Sequence, residues 1–169
     1  MKTISLNGPW RMRKAGAARF YDVTVPTTVC TDLLANGLLE DPYYRDNEDA
    51  ALLALRSDYE YSRTFTVPED FLDADSVELV CHGIDTIADI HLNGALLFRA
   101  DNMHRTWRTG VKAALHPGEN AIRVCFHSAA EYAERLEREN PVYKTSDTVD
   151  GFEQVRNCLL YTSPSPRDA

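Results

Sequence analysis

A chain of 169 residues can bury one real core, and against the ~100–200 residues usual for a domain it is too short to be read as two. Its 26 acidic against 18 basic side chains give a formal charge of −8, which repels phosphate backbones, and no Lys/Arg cluster stands on any predicted face to offset that repulsion. Nucleic acid is therefore excluded as a partner class. With no apolar run near the ~20 residues that cross a bilayer and no signal-like core in Met1 to Leu6, a soluble, cytoplasmic protein without membrane association is expected.

In chain order, Ser5 to Lys14 opens with an Asn7-Gly8-Pro9 turn and continues as an edge strand that carries Trp10 and Met12 toward the core. Tyr21 to Val25 is a second strand, closed by Pro26, whose missing N–H cannot continue a ladder. Thr28 to Leu38 changes period. Val29, Leu33 and Leu34 recur at helical spacing and Asn36-Gly37 supplies the left-handed residue that ends a helix, so one short helix is predicted near 28–37.

The following run from Asp41, DPYYRDNEDAA, has no hydrophobic period and reads as a loop. Its tyrosines, Arg45, Asp46, Asn47 and Glu48 suit hydrogen bonding to hydroxyls, although Asp-Pro turn chemistry alone would produce the same composition. Asp58 to Val67 is the cleanest alternation in the chain, with Tyr59, Tyr61, Arg63, Phe65 and Val67 on one face. An arginine on that face requires either a buried partner or an edge position.

From Ile84 a strand is predicted with Ile84, Thr86, Ala88, Ile90 and Leu92 on the core side, stopped by Asn93-Gly94. An Asn-Gly pair accepts the positive φ angles of a type I′ turn, so Ala95 to Phe98 should return as a hairpin. Asp101 and Asn102 begin a second polar loop, and Asn120 to His127 is a further strand with Ile122, Val124 and Phe126 inward. Seven or eight strands separated by short turns describe an all-β, antiparallel sandwich or jelly roll.

Ser128 and Glu131 have capping-box spacing ahead of a helix-favouring run that ends at Asn140-Pro141, giving a C-terminal helix near 128–140, and Phe152 to Arg156 resembles the start of a strand. Residues 157–169, with Ser-Pro-Ser-Pro, break the preceding pattern and are expected to be a non-native tail, leaving a 1–156 domain incomplete at its C-terminal end. Of the four cysteines, Cys30, Cys81, Cys125 and Cys158 form no CxxC, so no metal and no redox pair is expected, and Cys81 and Cys125 should pack as buried thiols. There is no GxSxG, HExxH or phosphate-binding glycine loop, hence no catalytic residue and no cofactor is assigned.

Taken together, the Thr27–Glu48 run TTVCTDLLANGLLEDPYYRDNE, Tyr61 to Phe65, Gly83 to Gly94 and Ala100 to Met103 resemble the N-terminal domain of glycoside hydrolase family 2 β-mannosidases. The TDLLANGL and DPYYRDNE segments carry the mannosidase character, whereas the LNG hairpin and GEN turn would equally suit β-galactosidases and β-glucuronidases. The resemblance implies a galactose-binding-like jelly roll followed in a complete enzyme by immunoglobulin-like and TIM-barrel domains. It implies removal of terminal non-reducing β-mannose with retention by two barrel glutamates that this chain does not encode; Asn47-Glu48 matches the pair before the barrel acid only by chance. The partners implied are a β-mannoside oligosaccharide and the packed catalytic domains.

By the same resemblance the loop from Tyr43 to Glu48, including Arg45, Asp46 and Asn47, approaches the pocket rim, and Asp101 and Asn102 are further substrate-binding candidates. The alternative is a free-standing carbohydrate-binding module, or the equivalent domain of another family 2 glycosidase of β-galactosidase or β-glucuronidase type.

Overall fold

A computed structural model describes residues 2–139. Its strands are β1 (Gly8–Lys14), β2 (Tyr21–Val25), β3 (Tyr59–Val67), β4 (Glu78–Cys81), β5 (Ala88–Leu92), β6 (Ala95–Ala100), β7 (Trp107–Gly110) and β8 (Gly118–Phe126). Helices α1 (Val29–Ala35) and α2 (Asn47–Leu55) lie between β2 and β3, and α3 (Ala129–Glu139) follows β8. Six strands form one antiparallel sheet in the order β2-β1-β3-β8-β5-β6, and β4 pairs with β7 in a second. The fold is the expected all-β jelly roll.

Alternation decides which side chains meet between the sheets. Met12, Tyr61, Ile90 and Ile122 come from four neighbouring strands of the large sheet and are buried, with Leu79, Cys81 and Trp107 of the small sheet packed against the same cluster. Each fully buried side chain of this kind contributes about 1.5–3 kcal/mol by leaving water. Trp10 is an anchor as predicted. It is buried, and its indole Nε1 donates to the Leu6 carbonyl at 2.7 Å.

Arg63 resolves its position on the apolar face through backbone acceptors. Its guanidinium donates to the carbonyls of Leu6 and Asn7 at 2.8 and 2.7 Å, tying the segment before β1 to the middle of β3. Charge-assisted bonds of this kind are roughly twice as strong as neutral ones.

At the β5–β6 hairpin, Asn93 and Gly94 have φ angles of 50° and 85°, as the type I′ turn requires. Asn93 then reaches across to the start of β8 and the segment ahead of it, donating to the Asn120 side-chain oxygen and to the Ala114 carbonyl, both at 2.8 Å, while its own oxygen accepts from the Ala121 amide. Asn120 is buried at 1 % exposure and also donates to the carbonyls of His116 and Gly118, so both of its amide hydrogens are used. The Asn93-Gly94 turn and the Gly118-Glu119-Asn120 start of β8 are thus one hydrogen-bonded unit; GEN, expected as a turn, is already paired with β3.

Helix α1 starts at Thr28, whose hydroxyl accepts from the Thr31 amide. It ends in a Schellman motif, with the Leu38 amide on the Leu33 carbonyl and the Gly37 amide on that of Leu34, Gly37 taking φ 66°. The C-terminal helix, described by itself, begins with the Ser128 hydroxyl accepting from the Glu131 amide at 3.3 Å, half of the predicted capping box.

Four expectations change. The strand within Ser5 to Lys14 is not at an edge, because β1 pairs with β2 on one side and β3 on the other. The run from Asp41 is not a loop throughout, because Asn47–Leu55 is helical, with Glu48 and Asp49 placed against the positive end of the helix dipole. The strand expected from Ile84 pairs only from Ala88, although Ile84 is buried as its position in the alternation implied. Cys81 and Cys125 are half-buried instead of fully enclosed. The expected strand at 152–156 and the tail 157–169 lie outside the described residues.

Candidate functional site

The first candidate loop is folded around Asp41. Its carboxylate accepts from the Tyr43 amide at 2.9 Å, and its carbonyl accepts from the Tyr44 amide at 3.1 Å and from the Asn47 side-chain amide at 2.9 Å. This Asx turn projects the two tyrosines outward, and Tyr43 is 97 % exposed. Arg45 follows with φ 52°, uncommon for a side-chain-bearing residue, and its guanidinium lies 5.1 Å from the Tyr44 ring centre. Asp46 is exposed and precedes the first turn of α2 without capping it through its side chain.

Asn47 is therefore a helix residue with its amide committed to Asp41, while Arg45 and Asp46 remain at the surface. The sequence missed the helix and with it this division of roles. The available signal was the Ala/Leu-rich run 50–55 directly after two acids, a helix-favouring composition without an amphipathic period.

The second loop is held by Trp107, the first residue of β7, a strand that the sequence pattern does not announce. The Trp107 ring stacks on Phe98 with centroids 5.5 Å apart and 15° between planes, the Arg105 guanidinium lies 4.4 Å from its centroid, and its Nε1 donates to the Asn102 carbonyl at 3.2 Å. Asn102 accepts the His104 amide on its side-chain oxygen at 2.9 Å, and Asp101 beside it is exposed. The two loops are each internally bonded, and among the described residues no hydrogen bond or ion pair joins Arg45, Asp46 or Asn47 to Asp101 or Asn102.

Ahead of the first loop in the chain, α1 is fixed to β3 through a buried carboxylate. Asp32, 4 % exposed, accepts from the Tyr61 phenol at 2.7 Å and from the Thr27 hydroxyl at 2.8 Å. Burial, and then the bond to Asp32 and its charge, push the Tyr61 phenol far above its usual pKa, so it stays a donor. This explains structurally why an aspartate stands inside the TDLLANGL run: it is a strut, 4 % exposed, with one hydroxyl donor on each oxygen.

On the opposite side of the large sheet, the His127 imidazole lies between Asp58 at 2.9 Å from Nδ1 and Asp89 at 3.3 Å from Nε2. Burial alone would lower its pKa, but the two carboxylates outweigh that and hold it above the ordinary value. Among the described residues no group of three His, Cys, Asp or Glu is placed to hold a metal ion, and no helix is long and apolar enough to cross a membrane.

Comparison with known proteins agrees with this architecture. A family model described as the glycosyl hydrolase 2 galactose-binding domain-like family matches residues 10–160. The chain is 29% identical to a β-mannosidase of Mus musculus over 156 residues, which is 92% of this chain and 18% of that protein. It is 34% identical to β-mannosidase B of Emericella nidulans over 125 residues, 72% of this chain and 14% of that one. The crystal structure of a β-D-mannosidase from Dictyoglomus thermophilum matches with a TM-score of 0.85 at 30% identity, covering 89% of this chain and 19% of that one. The chain thus spans less than a fifth of the length of these relatives. With its antiparallel jelly roll and a family match over most of its length, the chain belongs to the glycosyl hydrolase 2 galactose-binding-like domain family.

Proposed function

We propose that this chain is the N-terminal, non-catalytic domain of a β-mannosidase, an exo-acting retaining glycosidase that removes terminal non-reducing β-mannose. Its role is to pack on the immunoglobulin-like and barrel domains of the complete enzyme and to complete one wall of their pocket with the 43–48 and 101–102 loops. The observation that carries this reading is coverage: about nine tenths of this chain aligns with β-mannosidases of which it spans less than a fifth. Retaining hydrolysis needs two carboxyls about 5–5.5 Å apart with the glycosidic bond between them. Asp58 and Asp89, which approach a common point, have the His127 imidazole there instead.

The test is release of nitrophenol from an aryl β-mannoside. The purified chain is expected to give none above a mock purification, whereas the reading frame extended past Arg156 through a barrel is expected to hydrolyse the β-mannoside at least tenfold faster than the β-glucuronide or β-galactoside. Turnover by the 169-residue chain, or a preference of the extended protein for another glycoside, overturns the reading.

A second reading, a free-standing carbohydrate-binding module, draws on the outward Tyr43 and Tyr44, 97 % and 57 % exposed, since aromatic faces stack on sugars. Calorimetry separates the two. Saturable heat with mannose or a mannoside favours the module, and none favours the domain.

A further inference from the structure

The outward face of the large sheet carries a basic groove that no linear segment announces. The antiparallel register sets Arg11 of β1 beside Ser62 of β3, Ser62 beside Arg123 of β8, and Arg123 beside His91 of β5. At ~4.8 Å between strands, the two arginines stand roughly 10 Å apart with a serine hydroxyl between them, close enough for two flexible side chains to converge on one group. Arg11, Ser62, His91 and Arg123, with Thr64 and Ala121 beyond them, line a groove of about 270 Å³.

Charge in this groove is incompletely balanced. Arg11 is exposed, stacks over the Phe20 ring at 5.0 Å, and makes no ion pair among the described residues. Arg123 approaches Glu60 only at 3.9 Å, and that carboxylate is already held by Arg13 at 2.5 Å. The next acid along the row, Asp22, pairs with Arg11 in register on β2 but forms no ion pair with it. Asp89, beside the groove, is engaged by Arg99 at 3.0 Å and by His127. The Nδ1 atom of His91 is buried and has no hydrogen-bond partner among the described residues.

We propose that this groove binds a small molecule bearing a phosphate group, with Arg11 and Arg123 clamping the phosphate oxygens over the Ser62 hydroxyl and the neutral end of the groove accepting a body of monosaccharide size. Two guanidiniums match a phosphate of charge near −2 better than a carboxylate of −1, and guanidinium geometry favours bidentate contact with either. The volume exceeds what a lone phosphate fills; Thr64 and Ala121 offer no charge to the remainder, and Arg63, which also lines it, has its guanidinium on the Leu6 and Asn7 carbonyls. This inference stands apart from the β-mannosidase reading, since no residue of the two candidate loops lines the groove.

The experiment titrates inorganic phosphate, a hexose 6-phosphate and a hexuronate separately into the purified 169-residue chain at constant ionic strength, followed by backbone amide NMR. Saturable shifts at Arg11, Ser62, His91 and Arg123 are expected, with the hexose phosphate at least tenfold tighter than the hexuronate. The double substitution R11Q/R123Q should weaken phosphate at least tenfold with the amide spectrum elsewhere unchanged. If that variant misfolds, S62A serves, with a smaller loss of two- to fivefold. Shifts no larger than chloride produces, equal affinity for the hexuronate, or unchanged affinity in the folded variants overturns the proposal.

Discussion

The two faces of the six-stranded sheet are made by the same strands one residue out of step, and they obey different rules. On the inner side Met12, Tyr61, Ile122 and Ile90 are buried in one cluster; on the outer side Arg11, Ser62, Arg123 and His91 form a polar row across the same four strands. Shape governs the first, where each lost methylene leaves a cavity. Charge balance governs the second, where solvent screens most errors. Stability therefore belongs to one face, and any ligand preference of the sheet belongs to the other.

The largest expected effect attacks the inner face. Ile90, 0 % exposed, replaced by alanine should lose about 2–5 kcal/mol in a urea titration, and a loss under 1 kcal/mol would show that this side is not the packed one. Next is Tyr61→Phe, which keeps the ring and its edge contact with Phe126 but withdraws the phenol from buried Asp32; about 1–3 kcal/mol should go. Asp32→Asn in the same background should then cost less than it does alone, as coupled partners require.

A smaller effect sharpens the outer face. Because the His127 pKa is raised in the folded state, its ion pairs with Asp58 and Asp89 stabilise fully below the unfolded value near 6.5 and lose that contribution as pH rises through the folded value. The side chain is 38 % exposed, so screening keeps the effect below ~1 kcal/mol. Thermal melts of the protein and His127→Gln should differ more at pH 5.5 than at pH 8.5; a pH-independent gap contradicts the pairing. Smallest is Arg11→Gln, an exposed residue whose loss should move stability by no more than ~0.5 kcal/mol.

Periodicity made the first face legible and left the second unread. Alternation in DYEYSRTFTV and around Ile90 identified Tyr59, Tyr61, Val67, Ala88, Ile90 and Leu92 as buried, and Ile84, which is enclosed although no ladder runs through it, whereas Arg63, Phe65 and Thr86 on the same faces are only half-buried. What alternation does not encode is where pairing begins or which strand lies alongside. Arg11 and Arg123 are distant in sequence, and only the order β1-β3-β8 brings them to one groove, so a search for clustered lysines and arginines along the chain finds nothing. The family runs TDLLANGL and DPYYRDNE were readable as motifs, but not their division of labour. Asp32 turns out to be structural, Asn47 is spent on Asp41, and Tyr43, Arg45 and Asp46 face solvent.

Arg63 has a practical consequence for anyone shortening this domain. A truncation starting at Gly8 would leave the eight strands of the described residues intact on paper, yet it would delete both carbonyl acceptors of that half-buried guanidinium, a loss of about 1–3 kcal/mol. The residues ahead of the first strand look dispensable in a topology diagram, but their carbonyls are the acceptors that hold the arginine of its neighbour, and cloning boundaries should respect them.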